Sequence, residues 1–368
     1  MYSKTKLERV LELHRGYDLP ERERKEGNVP IISSSGYSGL HNDCKCDGEN
    51  VITGRYGTIG EVFYHEGKCW PLNTALYVSD FKENNPKYVY YLLKYILKMS
   101  IDGKDKSTVP GVDRNVLHQM EIPFCQDIKE QKELIRILEK LDERIDLNRK
   151  INDNLVATLQ IIYKKMFLES QNTYITKPLA DLCSKIGSGA TPKGGKAAYF
   201  DKGISLIRSM NVFDYFFSYP ELAHISQIQA NALANVEIQQ ADVLFNITGV
   251  SVTRCCVVPD DVLPARVNQH VMIIRPYKGK NMSYYIMCTL CTSENKAKLL
   301  GIGQSGSTRE AINKQELERF EIPVPSDEEL ERFGEIATKI YALIFSNTNE
   351  IRMLCDMKDT LLTKLSSY

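Results

Sequence analysis

The sequence predicts an α+β chain built by tandem duplication: a mixed α/β domain followed by a long helix, then a second such domain and helix. Three observations carry this expectation. The phrase "KSTVPGVDRNVLHQMEIPFC" from Lys106 is nearly restated as "GSTREAINKQELERFEIPVP" from Gly306, with Ser107/Ser307, Thr108/Thr308, Leu117/Leu317 and the Glu-Ile-Pro triplets at 121 and 321 in step. A long charged stretch without proline follows each phrase, and matching strand-like phrases precede each. The expected order is a domain over 1–125, a helix over 126–170, a domain over 171–325 and a helix over 326–368. A chain of 368 residues suits two domains better than one core.

In the first domain, "ENVITGRYGTIGEVFY" and "CWPLNTALYVSDF" read as β-hairpin material, β-branched and aromatic residues punctuated by glycine. In the second, "ADVLFNITGVSVTRCCVVP" and "VNQHVMIIRPY" take the same places, and Asn268 answers Asn73. A short helix is expected next in both, in "PKYVYYLLKYIL" and "MSYYIMCTLCTSENKAKLL". Tyr88, Tyr91, Leu92 and Tyr95, and Tyr284, Tyr285, Met287 and Leu290, fall at helical spacing and are read as core. The Ser-Thr phrase then leads into an exposed strand carrying Glu-Ile-Pro, with Ser107 and Ser307 as candidate helix caps.

The long stretches carry heptad seams. Leu134, Leu138, Leu141, Ile145, Asn148, Asn152, Leu155, Leu159, Ile162 and Met166 alternate steps of four and three, as do Phe333, Ala337, Ile340, Ile344, Asn347, Ile351, Leu354, Lys358, Leu361 and Leu365. Helices of about 40 residues reach ~60 Å. Pairing as an antiparallel coiled coil with pseudo-two-fold symmetry brings the midpoints together, so Asn148, Asn152 and Asn347 are expected to cluster and fix the register.

Composition excludes several classes. Apolar runs stay short of the ~18 residues of a membrane span, and the polar start is no signal peptide. The ten cysteines lack a spaced framework and read as reduced thiols, so a cytoplasmic location is expected. Residues 1–124 hold 17 basic and 17 acidic side chains and residues 178–325 hold 15 and 13, so any nucleic-acid binding rests on local clusters. "NNPKY" at 84–88 lacks the second proline of an adenine-holding motif, and the glycines of "GRYGTIG" are not spaced for a dinucleotide. Gly195-Lys196 is followed by Ala197, without the hydroxyl a P-loop needs. Cys288 and Cys291 form a lone helical pair read as core, so neither a metal site nor catalysis is expected.

Matching frameworks with unlike loops, "IISSSGYSG" against "IGSGATPKGGKAAYF", suit two different ligands held at a fixed distance, and two patches on one DNA duplex fit. The candidate DNA contacts are side chains able to reach base edges or phosphates from turns and helix ends. In the first domain these are Ser33, Ser34, Ser35, Tyr37, Arg55, Tyr56, Lys104, Lys106, Ser107 and Thr108. In the second they are Ser188, Thr191, Lys193, Lys196, Arg208, Ser209, Asn211, Thr253, Arg254, Ser305, Ser307, Thr308 and Arg309.

"GSGATPKGGKAAYF…GISLIRSMNVFD", "LDERIDLNRKINDNL", "GRYGTIGEVFY…WPLNTALYV", "NQHVMIIRP" and the terminal "LLTKL" resemble the specificity subunit of type I restriction–modification systems over nearly the whole chain. The first domain departs from the Gly-Ala-Thr-Pro box and has "HRGYDLPERERKEGNVPIISSSG". The resemblance implies two target-recognition domains, each reading one half of an asymmetric bipartite DNA site, and helices that space them. It implies two methyltransferase subunits docked on the chain and holding S-adenosylmethionine, with restriction–translocase subunits as optional further partners, and no cofactor or catalysis in this chain. A self-sufficient DNA methyltransferase or nuclease is the alternative, marked by S-adenosylmethionine on the purified chain. A scaffold or decoy without a defined target is another, and methylome sequencing separates it.

Overall fold

The computed structural model describes residues 2–55, 60–102, 113–304 and 311–364. The chain divides into two compact units, residues 1–148 with 350–368, and residues 149–349. The first unit holds β1 (Tyr2–Lys6), β2 (Glu12–Arg15), β3 (Val29–Ser33), β4 (Gly36–His41), β5 (Glu49–Gly54), β6 (Val62–Glu66), β7 (Trp70–Pro71), β8 (Ala75–Asp80) and β9 (Glu121–Cys125). Its helices are α1 (Pro86–Asp102), α2 (Arg114–Gln119) and the first part of α3 (Ile128–Tyr163). The strands order as β2-β8-β5-β6, β4-β3-β7 and β1-β9.

The second unit repeats this strand for strand. It contains β10 (Ile175–Pro178), β11 (Cys183–Ser188), β12 (Ile204–Ile207), β13 (Ala223–Ile225), β14 (Val243–Asn246), β15 (Cys255–Val257), β16 (Ala265–Val267), β17 (Val271–Pro276) and β18 (Glu321–Val324). They order as β11-β17-β14-β15, β13-β12-β16 and β10-β18. In both units one pair is parallel, β3 with β7 and β12 with β16. The central strands β5 and β14 are almost wholly buried, five of six residues in β5 and all four in β14. The helices are the last part of α3, α4 (Leu179–Leu182), α5 (Gln227–Ala232), α6 (Gly279–Leu290), α7 (Ser293–Gln304), α8 (Lys314–Glu318) and α9 (Asp327–Lys364) as far as residue 349.

Three expectations need correction. The single short helix expected before the second Ser-Thr phrase is two helices, α6 and α7, because the chain turns at Cys291 and Thr292. The caps of the helices after the two phrases are Asp113 and Asn313: Asn115 N donates to Asp113 Oδ1 at 2.8 Å, and Glu316 N to Asn313 Oδ1 at 3.0 Å. Ser107 and Ser307 lie outside the described residues. The Glu-Ile-Pro strands are not simply exposed, because Ile122 and Ile322 are buried in the cores.

Every described seam position on α3 and α9, and on the short π-turn that follows α3, is buried or half-buried, while Ile137, Leu147, Ile151 and Leu343 off the seam are exposed. Within each unit the helix segments run antiparallel. In the second, Asn152 meets Asn347 and Tyr163 meets Phe333. In the first, Asp142 meets Lys358, and Leu138 shares a core with Leu362. The seam ends differently from a strict heptad. The π-turn at Lys164–Leu168 shifts the register, so Tyr163 and Phe167 fill the core while Met166 is half-buried.

Candidate nucleic-acid interface

In both units the same loops meet at one rim because two backbone crossings repeat. Gly16 N donates to Ala75 O (3.0 Å) and Tyr17 N to Pro71 O (2.8 Å). Gly189 N donates to Val271 O and Ala190 N to Val267 O, both at 3.0 Å. A Cβ on Gly16 would stand 2.1 Å from Leu72 O, and one on Gly189 2.2 Å from Val267 O and Asn268 O, so only glycine lets the chains pass this closely. Leu72 N then donates to Ile32 O (2.8 Å) and Asn268 N to Ile207 O (3.0 Å). Ser33-Ser34 and Arg208-Ser209 therefore leave their sheets at equivalent points. "HRGYDLP" thus occupies the place of the Gly-Ala-Thr-Pro box.

On the first rim, Ser34 N donates to Thr74 Oγ1 at 3.4 Å and Arg55 N to Thr74 O at 2.9 Å. Asn73 N donates to Tyr17 O (3.0 Å), and the Asn73 side chain to Asp18. The Tyr17 and Tyr77 hydroxyls lie 2.8 Å apart, and burial, then this hydrogen bond, pushes the Tyr77 pKa well up, so it stays a neutral phenol. Lys45 Nζ covers Trp70 at 4.7 Å and Tyr17 at 5.6 Å. This combination of hydroxyls, amide, cation and aromatic faces can stack on bases and grip phosphates. Ser33 is buried and fastens its own turn, with Oγ 3.1 Å from Ser35 Oγ and from Gly36 O. Tyr37 is exposed and hydrogen-bonds His65 Nδ1 (3.0 Å), lining a groove with Phe63, Tyr64, Tyr90 and Tyr91 rather than the rim. Tyr56, Lys104, Lys106, Ser107 and Thr108 lie outside the described residues.

On the second rim, one chain of side chains joins three loops. Thr191 donates to Gln269 Oε1, Gln269 Nε2 lies 3.0 Å from His270 Nε2, and His270 Nδ1 lies 2.7 Å from Thr248 Oγ1. Ser188, the last residue of β11, and Lys193, on the loop that follows, are exposed. Lys196 falls in the short helical turn Gly195–Ala198. Arg208 donates from Nη2 to Glu221 O, sits 5.6 Å from the Tyr199 ring, and has a buried Nε without a partner. Ser209 O accepts from Asn246 Nδ2 at 2.8 Å. The Thr248–His270 contact lacks the charged third group that would activate a nucleophile, since the amide of Gln269 occupies the other ring nitrogen.

Three candidates on the second rim leave the contact set. Asn211 is fully buried; its Oδ1 accepts from Arg208 N (3.1 Å) and its Nδ2 donates to Ser218 O (3.0 Å), so its amide is consumed in holding the loop. Thr253 is buried in a left-handed turn with φ 72°. Arg254 lies 4.5 Å over Phe213 and packs rather than reaching out. Ser305, Ser307, Thr308 and Arg309 lie outside the described residues. Sequence reading missed Tyr17, Thr74, Thr248, Gln269, His270 and the fully exposed Val250 at the tip of the β14–β15 loop. The available signal was "NQH" before β17, which was read as framework alone.

Of the register residues, Asn347 Nδ2 donates to Asn152 Oδ1 at 2.9 Å, and Asn152 Nδ2 to Thr348 Oγ1 at 3.3 Å. Asn148 is buried with Nδ2 lacking a hydrogen bond. At the repeat offset of 199, the partner equivalent to Asn347's Asn152 is Ile351, which offers no acceptor. Glu350 lies close to Asn148, but Arg144 holds that carboxylate with two bonds, Nε at 2.7 Å and Nη2 at 3.1 Å.

Among the described residues no cluster of three His, Cys, Asp or Glu could hold a metal ion. Residues 2–157 and 176–353 each match the family model described as the type I restriction modification DNA specificity domain. Over 219 residues the chain is 23% identical to a putative type I restriction enzyme MjaX specificity subunit of Methanocaldococcus jannaschii, covering 57% of this chain and 51% of that protein. The chain thus spans about half the length of the curated relative it matches. Its fold is similar to the crystal structure of a type I restriction-modification system S subunit from M. genitalium, with TM-score 0.57 and 16% identity over 100% of this chain and 96% of that one.

Proposed function

The chain belongs to the family of type I restriction–modification DNA specificity domains, and we propose that it is the specificity subunit of such a complex, each of its two repeats reading one half of an asymmetric bipartite DNA site. The observation that carries this reading is the duplicated rim: the backbone crossings at Gly16 and Gly189 are shared, while the side chains they present are unlike. A common frame with different donors and acceptors suits two different base sequences. On the first rim Tyr17, Ser34, Arg55 and Lys45 do the gripping. On the second, Thr191, Lys193, Gln269 and Val250 face the duplex, and the exposed Gln269 keeps a second amide hydrogen and a second oxygen lone pair, beyond those used with His270 and Thr191, for an adenine edge.

In this reading the long helices α3 and α9 space the two readers and dock two methyltransferase subunits. Those partners hold S-adenosylmethionine and perform the methylation, and restriction–translocase subunits can join. The chain itself does no catalysis and works in the cytoplasm. The even charge balance fits a subunit whose partners supply much of the phosphate grip, so the isolated chain binds DNA weakly with a shallow salt dependence.

The test is methylome sequencing of cells expressing the chain with its methyltransferase, before and after exchanging residues 178–325 for those of a relative. One half-site should change and the other stay. Both halves changing together, or neither, overturns the reading.

A further inference from the structure

We propose that Cys46 and Cys69 form a redox-modifiable pair, closed to a disulfide by a hydroperoxide and reopened by thiol reductants. The two residues face each other in an isolated antiparallel bridge between the segment after β4 and the residue that precedes β7. Cys46 N donates to Cys69 O at 3.1 Å and Cys69 N to Cys46 O at 2.9 Å. A pair that exchanges both bonds has its Cα atoms about 5.5 Å apart, inside the roughly 4.4–6.8 Å that disulfides span. Directly opposed residues also project their side chains to one face of the ladder.

The thiols differ in the way such chemistry needs. Cys46 is half-buried and Cys69 fully buried. The neighbouring Cys69 thiol lowers the pKa of Cys46, while the neighbouring Cys46 sulfur, then burial, raises that of Cys69. Cys46 is thus the accessible sulfur that more readily becomes thiolate, and Cys69 the sheltered one behind it. Cys255 and Cys291 are also neighbours, but both are buried, so neither is the accessible sulfur that meets a hydroperoxide first.

The chemistry balances with a hydroperoxide as oxidant. The Cys46 thiolate attacks one peroxide oxygen, the O–O bond breaks, and Cys46 becomes a sulfenic acid as hydroxide leaves. The Cys69 sulfur then attacks the Cys46 sulfur, expelling the sulfenic oxygen, which leaves as water with the Cys69 proton. In sum two thiols and one hydrogen peroxide give one disulfide and two waters. The bond would fix Lys45 and its neighbours against Trp70. The pairing is defined without reference to any DNA contact.

Trypsin cuts after Lys45 and Lys68, so Cys44, Cys46 and Cys69 fall in separate peptides. The reduced full chain is titrated with hydrogen peroxide, its remaining thiols are alkylated, and the digest is mapped without reductant. The expected product joins Cys46–Arg55 to Cys69–Lys82, two hydrogens lighter than the sum, with loss of two of the ten alkylatable cysteines. Trp70, the single tryptophan, should lose emission as the adjacent disulfide forms and regain it with dithiothreitol. Cys46→Ser should abolish both signals, and Cys44→Ser should keep both. Full alkylation of Cys46 and Cys69 after peroxide treatment, or a link through Cys44, overturns the proposal. The wild-type peptide map decides the matter even where a variant folds poorly.

Discussion

The two units share a strand order but are fastened to their long helices by different chemistry. In the second, Tyr163, Phe167, Tyr285 and Phe333 interlock, with Phe167 5.0 Å from Tyr285 and 5.3 Å from Phe333. Tyr284 stacks on Tyr341 at 4.7 Å. Beside that stack lies an apolar cavity of about 280 Å³ bordered by Phe216, Phe217 and Phe345. In the first unit the corresponding seat is polar: Lys87 pairs with Glu139 at 2.6 Å, and Tyr91 donates to Asp142 at 2.8 Å, which also meets Lys358. Burial, then the Asp142 charge, pushes the Tyr91 pKa well up, keeping its proton on the phenol. Duplication thus preserved backbone crossings and strand pairing while the side chains at the helix seats diverged. Aromatic seats gain from burial, which salt scarcely touches, whereas ion pairs weaken with screening.

The sharpest break of this comparison is Phe333→Ala, expected to cost the second unit about 3–5 kcal/mol. Hydrogen exchange resolved by segment should show the lost protection within 149–349, and equal loss in both units would contradict the contrast. Gly16→Ala and Gly189→Ala probe what the units share. Each drives a Cβ into backbone carbonyls and is expected to cost about 1–3 kcal/mol in its own unit, read by denaturant unfolding. If only one of the two were harmful, the rims would not be equivalent.

The asparagines sharpen the comparison at smaller scale. Asn152→Leu leaves Asn347 without its acceptor and should lose about 1–2 kcal/mol, while Asn148→Leu removes an unpaired buried donor and should gain about 1 kcal/mol. Urea midpoints of the two variants should therefore move in opposite directions. The smallest expected effect is electrostatic. The Arg144 guanidinium beside it holds the Glu350 carboxyl below its ordinary range. A carboxyl lowered in the fold stabilises it above the unfolded-state pKa, and that contribution fades as pH falls through the folded value. Arg144→Ala should therefore lower thermal stability slightly at pH 7 and not at all below the carboxylate range, with the difference shrinking at high salt.

Much of this was legible beforehand. The heptad steps located α3 and α9, since a seam repeats in every seven residues what each turn must bury. The Glu-Ile-Pro phrases located β9 and β18. The rims were legible only in part: Ser34, Arg55, Thr191 and Lys193 were named for their chemistry, but nothing local distinguished them from Asn211 and Thr253, which fold inward. Tyr17, Gln269 and His270 went unnoticed because their roles come from partners far along the chain.

The sequence by itself determined the duplication, the two long helices and the paired frameworks, because periodicity and repetition are properties of neighbours in order. Tertiary structure alone decided which hydroxyls and amides face outward, that Asn152 rather than Asn148 completes an amide pair, and that Cys46 meets Cys69. Those outcomes depend on distances between residues that the chain separates and only folding brings together.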